Sequence, residues 1–92
     1  MKVDWSAPAL ADLRGIDAYL ADYSPDTAAE HLAAILAGAD VLESYPSIGP
    51  ALDGTTRSLR VRHTRYILLY RIRGTEVEIL RVRHDREDWR PE

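Results

Sequence analysis

Apolar residues recur at helical spacing through the first half of the chain. Ala9, Leu13, Ile16, Leu20 and Tyr23 step by four, three, four and three, which stacks them on one helix face while Asp12, Arg14 and Asp22 fall away from it. Ser6, just ahead of this run, offers a side-chain oxygen as N-cap, and Pro8 is tolerated in a first turn whose amides lack helical partners anyway. An amphipathic helix is predicted from just after Ser6. Ser24-Pro25-Asp26 then breaks and restarts the chain, with Ser24 as cap, Pro25 in the first turn and Asp26 facing the positive end of the helix dipole. Ala28, Leu32, Ile35, Ala39 and Leu42 repeat the same steps, so a second helix should fold back on the first as an antiparallel hairpin. The many alanines on both helices favour close packing of the two axes over a ligand-binding role.

Pro46-Ser47-Ile48-Gly49-Pro50 ends the second helix and opens a loop that runs to about Thr56. Beyond it the period changes from 3.6 to 2. Ser58 to Arg62 alternates, and Tyr66 to Arg73 and Glu76 to His84 are β-rich runs. With a short extended segment from Lys2 to Trp5, the expected architecture is α+β. An N-terminal strand and a helical hairpin pack on a mostly antiparallel sheet that ends in a three-stranded meander, all in one domain over residues 1–92.

Gly74-Thr75 reads as a two-residue hairpin loop, with glycine supplying the positive φ. That loop sets Arg73 opposite Glu76, Arg71 opposite Glu78 and Tyr70 opposite Ile79. An unbroken ladder then continues with Leu69 opposite Leu80, Leu68 opposite Arg81 and Ile67 opposite Val82. In this register Tyr66, Leu68, Tyr70, Ile72, Val77 and Ile79 share one face, and Ile67, Leu69, Leu80 and Val82 line the other. A sheet covered by helices on one side should be polar on its open side. The expected open face is instead an apolar stripe rimmed by arginines, to be covered either by the loop around Ile48 and Leu52 or by another chain.

Charge sharpens this picture. Residues 1–56 hold two basic against nine acidic side chains, a net of −7, whereas residues 57–92 hold ten arginines against six acids, a net of +4. An all-arginine basic half suits bidentate contact with carboxylate or phosphate, in an acidic peptide or a nucleic acid, and leaves direct nucleic-acid binding open. The chain has no cysteine, which removes disulfides, thiolate metal sites and cysteine nucleophiles, and no metal or cofactor is expected. Nothing approaches the roughly 18 apolar residues of a membrane span, and Met1 to Trp5 runs into structure rather than a signal segment. A cytoplasmic location without membrane association is expected.

Several segments, taken in order, resemble the RelE/ParE toxin superfamily. Val3-Asp4-Trp5-Ser6 leading into Ala9-Leu10-Ala11-Asp12-Leu13 is similar to the family's opening, and Tyr45 to Pro50 to its helix-ending Pro-x-x-Gly segment. Arg57 to Val61, Tyr66 to Arg71 and Ile79 to Trp89 resemble its three C-terminal strands and arginine-containing tail. The resemblance covers nearly the whole chain. It implies the toxin of a type II toxin–antitoxin system, bound and silenced by a cognate antitoxin as a hetero-oligomer.

Within the superfamily, RelE-like members are ribosome-dependent messenger ribonucleases and ParE-like members poison DNA gyrase. RelE-like members typically place an arginine directly after the first tyrosine of the third strand and a tyrosine or histidine near the C-terminus. Here Ile67 stands where that arginine would be, and no tyrosine follows Tyr70. The resemblance therefore implies the ParE-like branch, a toxin that binds gyrase rather than cutting RNA, with Arg81, Arg83, His84 and Arg86 as target contacts. The expected antitoxin seat is the outer sheet face at Ile67, Leu69, Arg71, Leu80 and Val82. The alternative is a ribonuclease in which His84 moves the proton and the C-terminal arginines neutralise phosphate. On this reading His84 otherwise closes the sheet edge or pairs with Asp85 or Asp88, while His31 and His63 are surface residues.

Overall fold

The computed structural model describes residues 1–87. Strand β1 (Lys2–Trp5) leads into helices α1 (Ala7–Ala21) and α2 (Pro25–Ser44), followed by strands β2 (Arg57–Arg60), β3 (Tyr66–Arg73) and β4 (Glu76–His84). The four strands form one sheet in the order β1-β4-β3-β2, with β1 parallel to β4 and the other pairs antiparallel. This is the expected α+β arrangement.

Both helices start where the capping chemistry places them. The Ser6 hydroxyl accepts the Ala9 amide at 3.1 Å and Ser24 accepts that of Thr27 at 3.3 Å, each with proline in the first turn. The hairpin lays Ala9, Ile35, Ala39 and Leu42 on Leu68, Tyr70, Val77, Ile79 and Val82 of the sheet, which is the core. Tyr23 does not join this face: α1 stops at Ala21, and Tyr23 is 75% exposed. Strand β2 also stops short of the predicted Arg62. The Val61 amide bonds the Tyr66 carbonyl at 3.0 Å, closing a turn in which His63 has a φ of 64°.

The β3–β4 hairpin keeps the predicted register from Arg73 opposite Glu76 to Tyr70 opposite Ile79, around a Gly74 with a φ of 62°. A bulge then intervenes, so that Leu69 faces Arg81, Leu68 faces Val82, Ile67 faces Arg83 and Tyr66 faces His84, with Leu80 as the extra residue. The slip falls where β1 ends. Trp5 is its last pair, opposite Ile79, after which the Ser6 amide bonds the Ile79 carbonyl at 3.0 Å and the Ser6 hydroxyl donates to the Leu80 carbonyl at 2.9 Å. One inserted residue exchanges the faces of everything beyond it.

The expected outer stripe changes accordingly. Val82 belongs to the helix-covered core at 3% exposure, while Ile67 and Leu69 are buried on their own side at 0% and 9%. Ile67 shares a hollow with Pro50, Ala51 and Leu52, whose loop is tied along β2 by the Ser58 amide to the Pro50 carbonyl at 3.1 Å. The chain's own loop overhangs this side, and of the five expected antitoxin contacts only Arg71 and Leu80 remain partly exposed.

Candidate functional site

A cleft of about 670 Å³ opens where α1, α2 and the ends of β3 and β4 meet. Asp12, Gly15, Ile16 and Tyr19 of α1 form one wall, and Val82, Arg83, His84, Arg86 and Glu87 the other. His31 of α2 joins them, with Arg65 just ahead of β3 and Tyr66 at its start. Three of the four target residues expected from the sequence, Arg83, His84 and Arg86, therefore line one surface.

Arg81 does not join them. Its guanidinium makes a two-pronged pair with Asp12, at 2.8 Å through Nε and 2.9 Å through Nη2, and Asp12 also accepts the Val82 amide at 2.9 Å. The carboxylate thus caps an edge amide of β4 beyond the reach of β1, and fixes α1 against the strand end. Burial alone would raise the Asp12 pKa, but the hydrogen bonds from Arg81 and Val82 and the charges of Arg81 and Arg83 outweigh it and hold it below the usual carboxylate value.

Two histidines flank one tyrosine inside the cleft. The His31 ring meets Tyr66 edge-to-face at 6.2 Å between centroids, and Tyr66 meets His84 in the same manner at 5.4 Å. His31 Nδ1 lies 2.9 Å from the Thr27 carbonyl, which can only accept, so Nδ1 is the donor in this bond. Burial and the Glu87 charge push the Tyr66 hydroxyl up, so it stays a protonated donor. His84 Nδ1 accepts the Arg86 amide at 3.2 Å while lying 3.4 Å from Asp85 Oδ1, a buried oxygen with no hydrogen-bond partner among the described residues. Arg60 and Arg65 reach the other Asp85 oxygen at 3.5 and 3.7 Å, and Arg83 reaches Glu87 at 3.7 Å.

His31 was expected at the surface, yet it is half-buried in this array. Its position carried the signal: it falls three residues after Ala28 and four before Ile35, both buried, and so shares their helix face. Tyr66 is expected from the sequence only as a strand residue, and Arg65 only as one of the ten C-terminal arginines. Asp88 and Trp89 lie outside the described residues.

The helical hairpin on a four-stranded mixed sheet is the fold that this chain shares with solved toxins of the ParE and RelE type. The chain belongs to the family described as ParE toxin of type II toxin-antitoxin system, parDE, whose model matches residues 3–89. It is 35% identical over 83 residues to toxin RelE2 of Caulobacter vibrioides, covering 90% of this chain and 93% of that protein. Among solved structures, it matches a chain of the chromosomal ParDE system from P. aeruginosa with a TM-score of 0.79 and 26% identity, over 91% of this chain and 95% of the other. A chain of the toxin–antitoxin complex RelBE2 from Mycobacterium tuberculosis matches with a TM-score of 0.67 and 33% identity, over 90% and 95%. The protein is thus a type II toxin of the ParE/RelE superfamily.

Proposed function

We propose that this toxin acts by binding DNA gyrase in the cytoplasm, using the basic cleft around Arg83, His84 and Arg86, and that a cognate antitoxin holds it silent. The observation that carries this reading is Ile67. It occupies the place of the arginine expected of the ribonuclease branch and is wholly buried, so neither the side chain nor its setting can clamp a phosphate. Arg81, another cation of the strand end, is already committed to Asp12. Partnership with an antitoxin is supported by the family and by the ParDE and RelBE2 systems to which the chain is similar. No helix among the described residues is long and apolar enough to cross a membrane.

Added to purified gyrase, the toxin is expected to block supercoiling and accumulate cleaved DNA, and its expression without antitoxin to arrest growth. No effect on gyrase at large molar excess would overturn the reading.

The His31–Tyr66–His84 array favours one second reading, cleavage of RNA. One imidazole would take the proton of a 2′-hydroxyl as its oxygen attacks the adjacent phosphorus. The other would protonate the departing 5′ oxygen and leave a 2′,3′-cyclic phosphate, with Arg65 or Arg83 against the charge. On that reading His84→Ala abolishes both transcript cleavage and growth arrest while antitoxin binding persists. Intact transcripts on induction of the wild-type toxin would exclude it.

A further inference from the structure

We propose that Glu87 occupies, in the free toxin, the seat of an acidic side chain of the target, so that the cleft binds a protein carboxylate by giving up its own. This rests on the gyrase-binding reading of the preceding section and names the chemistry by which the cleft would recognise that protein. The Glu87 amide bonds the His84 carbonyl at 3.0 Å, a turn that folds the Glu87 side chain back over the end of β4. There its Oε1 accepts the His84 amide at 3.1 Å, and its Oε2 lies 3.7 Å from the Arg83 guanidinium. One carboxylate thus spans a backbone donor and a cation. Those are the partners that a carboxylate arriving from outside would need.

The contrast with Asp12, the other carboxylate of the cleft, separates an exchangeable pair from a structural one. Asp12 keeps only 15% of its side chain in water and grips Arg81 by two prongs within hydrogen-bond length, with the Val82 amide as a third partner. Glu87 keeps 51% in water and stands off Arg83 beyond hydrogen-bond length, so their pair contributes little to folding and is readily replaced. Its charge still reaches the cleft, where burial first and Glu87 second raise the Tyr66 pKa. Charge also favours a protein carboxylate over a nucleic acid. The chain carries a net −3, and Asp12 and Glu87 themselves line the cleft, so a long polyanion would meet repulsion beside each arginine. A single acidic side chain meets only the seat that Glu87 leaves.

The test compares the full-length toxin with Glu87→Gln in three titrations at fixed ionic strength: purified gyrase, acetate and a single-stranded DNA oligonucleotide. The amide of His84, followed by NMR, reports the small probes. Glutamine keeps an oxygen for that amide and removes only the charge facing Arg83, so the variant should melt as wild type. Its affinity for both gyrase and acetate is expected to rise about fivefold, the effect of one charge removed at roughly 4 Å in water. Arg83→Ala added to Glu87→Gln should cancel the gain. Unchanged or weaker binding of acetate by Glu87→Gln overturns the proposed seat, whatever gyrase does. A gain for the oligonucleotide alone would make the seat a phosphate site, and the proposal would be wrong. Tighter acetate binding with no binding of gyrase by either protein overturns the gyrase reading instead and leaves the carboxylate seat standing.

Discussion

Gly49→Ala is expected to lower the melting temperature of the toxin by about 15 °C. The segment after α2 is fastened to the sheet by the buried Tyr70, whose hydroxyl donates to the Pro46 carbonyl at 2.8 Å and accepts the Gly49 amide at 3.0 Å. Burial pushes the Tyr70 pKa up, so that donor stays protonated. The Arg57 guanidinium adds bonds to the Gly49 carbonyl at 2.8 Å and the Ser47 carbonyl at 3.3 Å. A β-carbon on residue 49 would collide with the Ser58 carbonyl oxygen and lie 2.8 Å from the Tyr70 hydroxyl. A backbone oxygen cannot rotate aside, so the segment must lift and leave a buried phenol and its partners unpaired. Overpacking and the lost hydrogen bonds together cost about 3 kcal/mol, from a total of roughly 5–14 kcal/mol for a chain this size. Circular dichroism melts will check it, with Gly15→Ala as contrast. A β-carbon there meets nothing within 4 Å in the middle of α1, so that variant should be unchanged or slightly more stable. A wild-type melt for Gly49→Ala would mean the segment is not fastened as described.

The sequence made the local chemistry legible and the consequences of one inserted residue illegible. Serine caps, prolines in first turns and the Gly74-Thr75 loop each act within a few residues, so helix starts and the first four hairpin pairs followed from pattern alone. The bulge left a trace that an alternation template overrides: the buried residues of β4 are Val77, Ile79 and Val82, spaced by two and then three, with the doublet Ile79-Leu80 between. Because that slip exchanges faces, it carried Val82 into the core and set Arg81 and Arg83 opposite Leu69 and Ile67.

The cleft was half legible for a related reason. Arg83, His84 and Arg86 are adjacent in sequence and stayed together. His31 and Tyr66 reach them only through the way the hairpin lies on the sheet, which no local spacing states. Burial of Ile67 likewise depends on where a long loop rests, and loop placement is set by tertiary bonds such as the Ser58 amide to Pro50.

Asp12→Ala should destabilise the toxin by about 2–3 kcal/mol at neutral pH, and the loss should fade in acid. The carboxylate holds Arg81 through two charged hydrogen bonds and caps the Val82 amide, so its removal strands a cation and an edge N–H together. Arg81 keeps 38% of its side chain in water, which tempers the cost below that of a fully buried pair. The folded-state pKa of Asp12 lies below its ordinary value of 3.8, so between those two values the unfolded chain binds more protons than the folded one. The stabilisation is therefore complete above the ordinary value and drains away as pH falls through the folded one. Urea denaturation of both proteins from about pH 7 downward should show curves well separated at neutrality and converging only once the pH has fallen below the ordinary carboxylate value. Asp12→Asn should fall between them, since its amide oxygen can still accept the Val82 N–H while the charge facing Arg81 is gone. A constant gap at every pH would place the effect in lost packing instead. Because Asp12 ties the wall of the cleft on α1 to Arg81 and Val82 of β4, both substitutions should also loosen the array around Tyr66 and His84 before the core gives way.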